Sequence, residues 1–138
     1  MEIISEINNL SRIIGDVHEH LLKHKTLLFY GEMGAGKTTF IAELVRQTCG
    51  TNDASSPTYS IVNQYNGNGK AVYHMDLYRL KNLQEALDAG IEDILYSGAY
   101  CFIEWPEIIL PLIEKPYLEL RFSFVDNQHR KIDIIEHP

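Results

Sequence analysis

The residues with the clearest potential for chemistry are Gly31–Thr38, which read GEMGAGKT. They fit the pattern G-x-x-x-x-G-K-[ST], in which the glycines let backbone N–H groups turn toward phosphate oxygens. Lys37 would place its charge between the β- and γ-phosphates, and the hydroxyl of Thr38 would ligate Mg²⁺. The predicted contacts of the nucleotide are Glu32, Met33, Gly34, Ala35, Gly36, Lys37, Thr38 and Thr39. The pattern therefore predicts a site for a nucleoside triphosphate and Mg²⁺.

Two acidic residues are candidates for the metal and for catalysis. Glu104 ends the apolar run 100–103 in the manner of a Walker-B acid, so we predict that it ligates Mg²⁺ together with Thr38. Asp76 ends another strand-like run and could hold Mg²⁺, position water or act as a base. An ion pair with Arg79 is the alternative explanation for Asp76. The predicted catalytic residues are Lys37, Asp76 and Glu104.

Two further residues carry weaker signals for the same site. Thr58 belongs to the polar loop 55–58 and is predicted to sense the γ-phosphate or Mg²⁺ as part of a switch, although simple turn chemistry explains the same residues. Arg130 would bind ATP by stacking its guanidinium on the adenine ring. Solvation of an exposed turn also explains an arginine at this position. Both residues therefore stay hypotheses that depend on the phosphate loop.

The elements around the phosphate loop are those that such a site requires. The apolar run Thr26–Tyr30 predicts a strand that is buried on both faces and leads directly into the loop. Helical spacing of apolar residues after Lys37 predicts a helix that stops at Gly50 and aims the positive end of its dipole at the phosphates. An apolar stripe over residues 7–21 predicts an earlier helix with Ser5 as its N-cap.

The remaining pattern alternates strands with helices. A strand is predicted at 100–104, a helix at 83–95, a hairpin over 59–65 and 71–76 around Asn66–Gly69, and a final antiparallel pair over 117–125 and 130–136. Such a mixture indicates the α/β class. We predict one P-loop NTPase-like domain over residues 1–138, with a partly parallel central sheet, antiparallel additions and flanking helices.

Composition excludes several classes of protein. The 138 residues carry 19 Asp and Glu against 12 Lys and Arg, a formal charge of −7, which argues against binding nucleic acid by phosphate neutralisation alone. Neither a signal peptide nor a membrane span is evident, and the two cysteines form no CxxC pair, so a cytoplasmic location is expected. Residues 82–114 hold seven acids and no Lys or Arg. This acidic segment is either a solvated surface or a docking surface for a basic partner.

Three kinds of nucleotide enzyme compete for this sequence. A regulatory GTPase would show N-K-x-D and D-x-x-G motifs, and both are missing, which favours ATP over GTP. A free-standing small-molecule kinase usually has an arginine-rich lid, whereas the five arginines here are widely spread. A small ATPase that serves a partner needs little beyond a phosphate loop, acids for Mg²⁺ and a switch loop. The sequence favours this third class, and the kinase is kept as the alternative.

Four motifs together resemble the TsaE (YjeE) family of bacterial ATPases in tRNA threonylcarbamoyladenosine synthesis. They are Gly31–Thr39, Ser56-Pro57-Thr58-Tyr59, His74-Met75-Asp76-Leu77-Tyr78-Arg79-Leu80 and Ile103-Glu104-Trp105-Pro106-Glu107. The resemblance implies that Lys37 and Thr38 hold phosphates and Mg²⁺, that Glu104 is the Walker-B acid, and that Asp76 is a catalytic acid near the γ-phosphate. It also implies that Thr58 lies in a first switch and Trp105 beside a second. Met33 and Tyr59 stand where the family often has Leu and Phe.

The resemblance also implies partners. TsaE-like proteins hydrolyse ATP to support a complex of TsaD and TsaB, in which TsaD transfers the threonylcarbamoyl group to adenosine 37 of tRNA. The expected function is therefore partner-dependent ATP hydrolysis, with tRNA contacted indirectly through the complex. Expected cofactors are ATP and Mg²⁺.

Overall fold

The structure is a computed structural model that describes residues 1–51 and 61–138. Its strands are β1 (Glu2–Glu6), β2 (Thr26–Tyr30), β3 (Val62–Gly67), β4 (Lys70–Asp76), β5 (Tyr100–Glu104), β6 (Tyr117–Phe124) and β7 (His129–His137). Its α-helices are α1 (Leu10–Leu21), α2 (Lys37–Cys49), α3 (Leu83–Asp88) and α4 (Ile91–Leu95). Short 3₁₀ helices span Ile7–Asn9 and Pro106–Leu112.

The strands of the described residues form one mixed sheet in the order β1-β7-β6-β2-β5-β4-β3. Strand β2 is parallel to both β5 and β6, and β4 is parallel to β5. The β3–β4, β6–β7 and β1–β7 pairs are antiparallel. The predicted α/β class, with a partly parallel sheet and antiparallel additions, is confirmed.

Apolar cores lie on both faces of the sheet. On one face, α1 and α2 pack around Phe29, Phe40 and Phe102, which are fully buried. On the other face, α3, α4 and the 3₁₀ helix Pro106–Leu112 cover Leu28 and Ile103. Residues 27–30 are thus consecutively apolar because their side chains enter the two cores in alternation.

Two local predictions were wrong. Ser5 does not cap a helix: it pairs with Arg130 in the β1–β7 ladder, and this pairing keeps the backbone extended, so α1 begins only at Leu10. The segment 83–95 is not one helix, because Gly90 adopts a left-handed φ of 79° and separates α3 from α4. The predicted hairpin is confirmed over β3 and β4, while residues 59 and 60 of its first strand lie outside the described residues.

Across residues 1–51 and 61–138, no helix combines the length and the apolar character needed to cross a membrane.

Candidate nucleotide and metal site

The phosphate loop connects β2 to α2 at the carboxyl ends of the parallel strands. Gly36 occupies the N-cap position of α2 with a φ of 94° and has no side chain to accept hydrogen bonds from the first turn. The first N–H groups of a helix lack acceptors within the helix, and the helix dipole favours negative charge there. The N-terminus of α2 is therefore built to receive an anion.

Gly31 shows why the loop starts with glycine. Its φ is 149°, and a Cβ at this position would lie 2.9 Å from the carbonyl oxygen of Phe122 in β6. A larger residue would push the loop away from β6. The loop is thus fixed to the sheet at its first residue.

Lys37 is 4% exposed and lies under the loop. Its Nζ donates a hydrogen bond of 2.5 Å to the carbonyl oxygen of Gly31 and lies 3.7 Å from the ring centre of Trp105. Burial lowers the pKa of Lys37, while the carboxylates of Glu104 and Asp76 act against this shift. The lysine is therefore held by a carbonyl and an aromatic face at the position where phosphate oxygens are expected.

Glu104 is 2% exposed, and its two carboxylate oxygens have separate partners. The hydroxyl of Thr38 donates to Oε1 at 3.0 Å, and Nε2 of His74 lies 2.7 Å from Oε2. This arrangement joins the first turn of α2 to the ends of β5 and β4. It brings together Thr38 and Glu104, the two residues predicted to ligate Mg²⁺.

Asp76 lies directly beside Glu104 on the neighbouring strand. The β4–β5 register pairs the two residues, and the side chains of such a pair emerge on the same face of the sheet. One oxygen of Asp76 accepts a hydrogen bond of 3.1 Å from the backbone N–H of Tyr78. Lys37, Asp76 and Glu104 therefore share one small region, in which the lysine charge faces two carboxylates.

The donor set suits Mg²⁺, which prefers oxygen ligands and uses one or two carboxylates together with phosphates. Thr38 and Glu104 offer a hydroxyl and a carboxylate at the phosphate loop. Within the described residues, no group of three or more His, Cys, Asp or Glu is arranged as a metal site. A cation at this place would therefore need phosphate oxygens to complete its ligands.

A cleft of about 190 Å³ opens beside the phosphate loop, between the loop and the antiparallel end of the sheet. It is lined by Ser5, Leu10, Gly34, Ala35, Gly36, Thr39, Phe122, Arg130 and Ile132. The guanidinium of Arg130 lies over the ring of Phe124 at 4.4 Å and donates to the carbonyl oxygens of Asp126 and His129. Arg130 is thus brought to the phosphate loop from a strand far away in sequence.

Four other predicted residues and Trp105 have the following places in the structure. Thr58 lies outside the described residues. Glu32, Met33 and Thr39 are exposed along the loop and the first turn of α2. Trp105 is half-buried, and two of its contacts were not predicted: Nζ of Lys37 lies over its ring, and its ring centre is 5.0 Å from that of Tyr78.

Sequence reasoning gave no functional role to His74 or to four of the nine residues that line the cleft. His74 stands two residues before Asp76, so strand alternation places both on the same face, and that signal was available. The cleft residues Ser5, Leu10, Phe122 and Ile132 come from β1, α1, β6 and β7. No local pattern marks them, because only the strand order brings them to the phosphate loop.

Comparison with known proteins agrees with this architecture. Residues 4–132 match the family described as "Threonylcarbamoyl adenosine biosynthesis protein TsaE". The chain belongs to the TsaE family. Its resemblance to TsaE, noted from four motifs, is confirmed and extends through β6 into β7.

Individual TsaE relatives match over most of the chain. A Rickettsia conorii protein named "tRNA threonylcarbamoyladenosine biosynthesis protein TsaE" is 35% identical over 131 residues, covering 94% of this chain and 73% of the relative. The Haemophilus influenzae protein of the same name is 34% identical over 122 residues, covering 85% and 77%. The crystal structure of Bacillus subtilis YdiB superposes with a TM-score of 0.64 at 22% identity, covering 96% of this chain and 83% of YdiB. That last similarity shows a shared fold.

Proposed function

We propose that this TsaE-family chain binds and hydrolyses ATP with Mg²⁺ and thereby supports threonylcarbamoyladenosine modification of tRNA. One observation carries the proposal: the hydroxyl of Thr38, in the first turn of α2, donates to the buried carboxylate of Glu104 at 3.0 Å. A hydroxyl and a carboxylate linked under a phosphate loop are the protein's usual contribution to a Mg²⁺–nucleotide site. A purely structural glycine turn would need neither the buried acid nor the buried lysine.

Each residue has a separate role in this proposal. Lys37 and the first N–H groups of α2 bind the phosphates, and Lys37 neutralises charge that develops during transfer. Because the single hydroxyl proton of Thr38 is used in the hydrogen bond to Glu104, the lone pairs of the hydroxyl oxygen remain available for a cation. When bound, Mg²⁺ would supply charge neutralisation at the phosphate oxygens. Asp76, on the same face as Glu104, is the proposed group for orienting the attacking water.

The cleft beside the loop is the proposed site of the nucleoside. Its apolar residues, among them Leu10, Phe122 and Ile132, match the surface of a purine ring, and the guanidinium of Arg130 supplies a planar cation at its rim. The guanine-reading motifs of regulatory GTPases are missing from the sequence, and this favours ATP. We therefore propose that the adenine ring enters between Arg130 and the apolar wall.

The site is tested by replacing Lys37. We expect Lys37→Ala to abolish measurable ATP binding and turnover, because the buried charge facing the phosphates is lost. Lys25→Ala is the matched control: Lys25 precedes the other end of β2, and it also stacks on an aromatic ring, that of Tyr100, at 4.0 Å. Equilibrium binding of ATP and release of phosphate are the measurements. Unchanged binding in Lys37→Ala, or equal losses in both variants, would refute the site.

Membership of the TsaE family supports the proposal that this chain acts with a partner, and we propose that the partner is a complex of TsaB and TsaD. ATP turnover should be measured with and without that complex, and we expect stimulation by it. A free-standing small-molecule kinase is the alternative. Fast ATP-dependent phosphorylation of a small acceptor, without any partner present, would favour the kinase over the partner-dependent ATPase. A cytoplasmic location stays a prediction.

Charge distribution suggests where a partner would bind. Six of the seven acids in the acidic segment 82–114 are exposed, and Glu104 is the buried exception. Changing Glu85 and Asp88 together to Lys should weaken binding of the TsaB–TsaD complex and reduce its salt dependence, while ATP affinity stays unchanged. Binding can be measured at two salt concentrations. Unchanged affinity for the complex would leave this surface as simply solvated.

A further inference from the structure

The side chain of His74 has no place in the proposed hydrolysis, although it contacts the centre of the site. It is 1% exposed, and its Nε2 lies 2.7 Å from Oε2 of Glu104. A carboxylate only accepts hydrogen bonds, so Nε2 must carry the proton of this contact. His74 therefore donates to the one oxygen of Glu104 that Thr38 does not bind.

Strand geometry explains how His74 reaches Glu104. The β4–β5 register places Asp76 opposite Glu104 and His74 opposite Phe102, so His74 is the diagonal neighbour of Glu104. A diagonal neighbour on the same face lies within reach of a long side chain. Glu104 thus has one neighbour on β4 that is an acid and a second that is a hydrogen-bond donor.

We infer that His74 is a positioning residue that orients the Glu104 carboxylate for Mg²⁺. The inference rests on the proposed function, since it assumes that Glu104 serves the metal. A glutamate side chain has several rotatable bonds, and a buried carboxylate that lost one of its two donors would turn toward another partner. His74 holds Oε2 in place, so that Oε1 stays with Thr38 at the phosphate loop.

Hydrogen bonds that orient a metal-holding side chain affect metal affinity in a measurable way. Loss of such a partner typically weakens metal binding by about 10- to 100-fold. A histidine that only filled space in the core would instead affect folding alone. The two roles therefore differ in whether the Mg²⁺ dependence of nucleotide binding changes.

Two amide variants of His74 test whether a donor nitrogen must reach Oε2 of Glu104. The side-chain nitrogen of glutamine can occupy the place of Nε2, whereas that of asparagine ends one bond shorter, at the position of Nδ1. His74→Gln should therefore keep the hydrogen bond to Glu104, and His74→Asn should lose it. Both replacements are polar and uncharged, so the pair differs in reach toward Oε2.

The experiment measures ADP affinity of the full chain over a range of Mg²⁺ concentrations, with thermal unfolding in parallel. We expect His74→Asn to raise the Mg²⁺ concentration at which ADP binding is half-maximally strengthened by about 10- to 100-fold. The affinity for ADP without metal should stay within about twofold of wild type. His74→Gln should lie within about threefold of wild type in both measurements. In a Glu104→Gln background, His74→Asn should cause no additional change.

The outcomes are distinguishable. A folded His74→Asn with wild-type Mg²⁺ dependence, or equal shifts in both amide variants, would overturn the role of His74. If His74→Asn does not fold, a tenfold shift in His74→Gln would overturn it instead, and its absence would support it. If Mg²⁺ fails to strengthen ADP binding to the wild-type chain, the proposed metal role of Glu104 fails, and the inference fails with it.

Discussion

Two histidine–carboxylate pairs, His74–Glu104 and His129–Asp126, have nearly equal lengths of 2.7 and 2.8 Å but opposite surroundings. The first pair is buried among the parallel strands, where both side chains are at most 3% exposed. The second lies in the β6–β7 turn, where the exposed fractions are 32% for His129 and 56% for Asp126. The same chemical contact therefore has different consequences in the two regions.

Burial explains the difference. A buried carboxylate has lost its water, so each protein donor that it keeps determines its orientation. An exposed carboxylate exchanges a lost partner for solvent at little cost. The parallel strands β2, β4 and β5 thus hold the side chains of the proposed site in fixed positions, whereas the turn between β6 and β7 carries replaceable contacts.

The largest expected effect is that of replacing Glu104, and Glu119 provides the comparison, as a second buried acid among the described residues of the central strands. Glu119 is 9% exposed and binds Arg121 and His137, but alternation along β6 directs it to the opposite face of the sheet from Leu118 and Leu120. Glu104→Gln should lower ATP turnover by about 10²-fold or more, the scale for removal of one preorganised electrostatic group.

Glu119→Gln is the matched control for this substitution. Turnover should stay within twofold of wild type, with a stability cost of about 0.5–1 kcal/mol, since its ion-pair partners are partly exposed. Steady-state phosphate release and chemical denaturation measure the two quantities. A similar loss of turnover in both variants would mean that burial of an acid, rather than its place at the phosphate loop, determines the effect.

A smaller effect is expected at Arg130, where the antiparallel end of the sheet meets the cleft beside the phosphate loop. Arg130→Ala should weaken ATP binding by about 3- to 30-fold, the equivalent of roughly 0.5–2 kcal/mol for a cation stacked on a ring. Arg12→Ala, an exposed arginine on α1, serves as the control and should leave affinity unchanged. ATP and triphosphate should be compared as ligands, because a stacking role predicts that triphosphate affinity stays the same. Equal weakening of both ligands would contradict stacking on adenine.

The two regions also differ in how much of each was predictable from the sequence. Residues 31–38 and the end of β5 were recognisable because a strand, a loop and a helix follow one another locally, and the parallel order then brings Glu104 to Thr38. The rest of the cleft was not recognisable, because Leu10, Phe122 and Ile132 reach the phosphate loop only through the order of the strands. Arg130 was a candidate from its residue type, but its place beside Ser5 depends on the β1–β7 ladder. The broken helix at Gly90 was missed because the apolar spacing of residues 83–95 continues across the break.

The smallest expected effect is a pH dependence that arises from the exposed pair. The hydrogen bond to Asp126 is the main cause that raises the pKa of His129 above 6.5, with Glu6 of β1 adding to it. A raised pKa in the folded state means that folding favours the protonated form. The stabilisation is therefore fully present below pH 6.5 and is lost as the pH rises through the folded-state pKa.

Asp126 sets the acidic limit of this stabilisation. The backbone N–H of Gln128 and the side chain of His129 lower the pKa of Asp126 from 3.8. The contribution of Asp126 to stability is therefore lost as the pH falls through that lowered pKa.

His18 complicates a direct reading, because burial lowers the pKa of His18 and gives a contribution of opposite sign that is lost as the pH falls below 6.5. The difference between wild type and His129→Gln removes the contribution of His18, since the two proteins share that residue. We expect the wild-type midpoint of denaturant unfolding to exceed that of His129→Gln by more at pH 5.5 than at pH 8. A constant difference across this range would mean that His129 does not couple its protonation to folding. In that case the exposed pair would neither orient a side chain of the proposed site, as His74 does for Glu104, nor make stability depend on the protonation of His129.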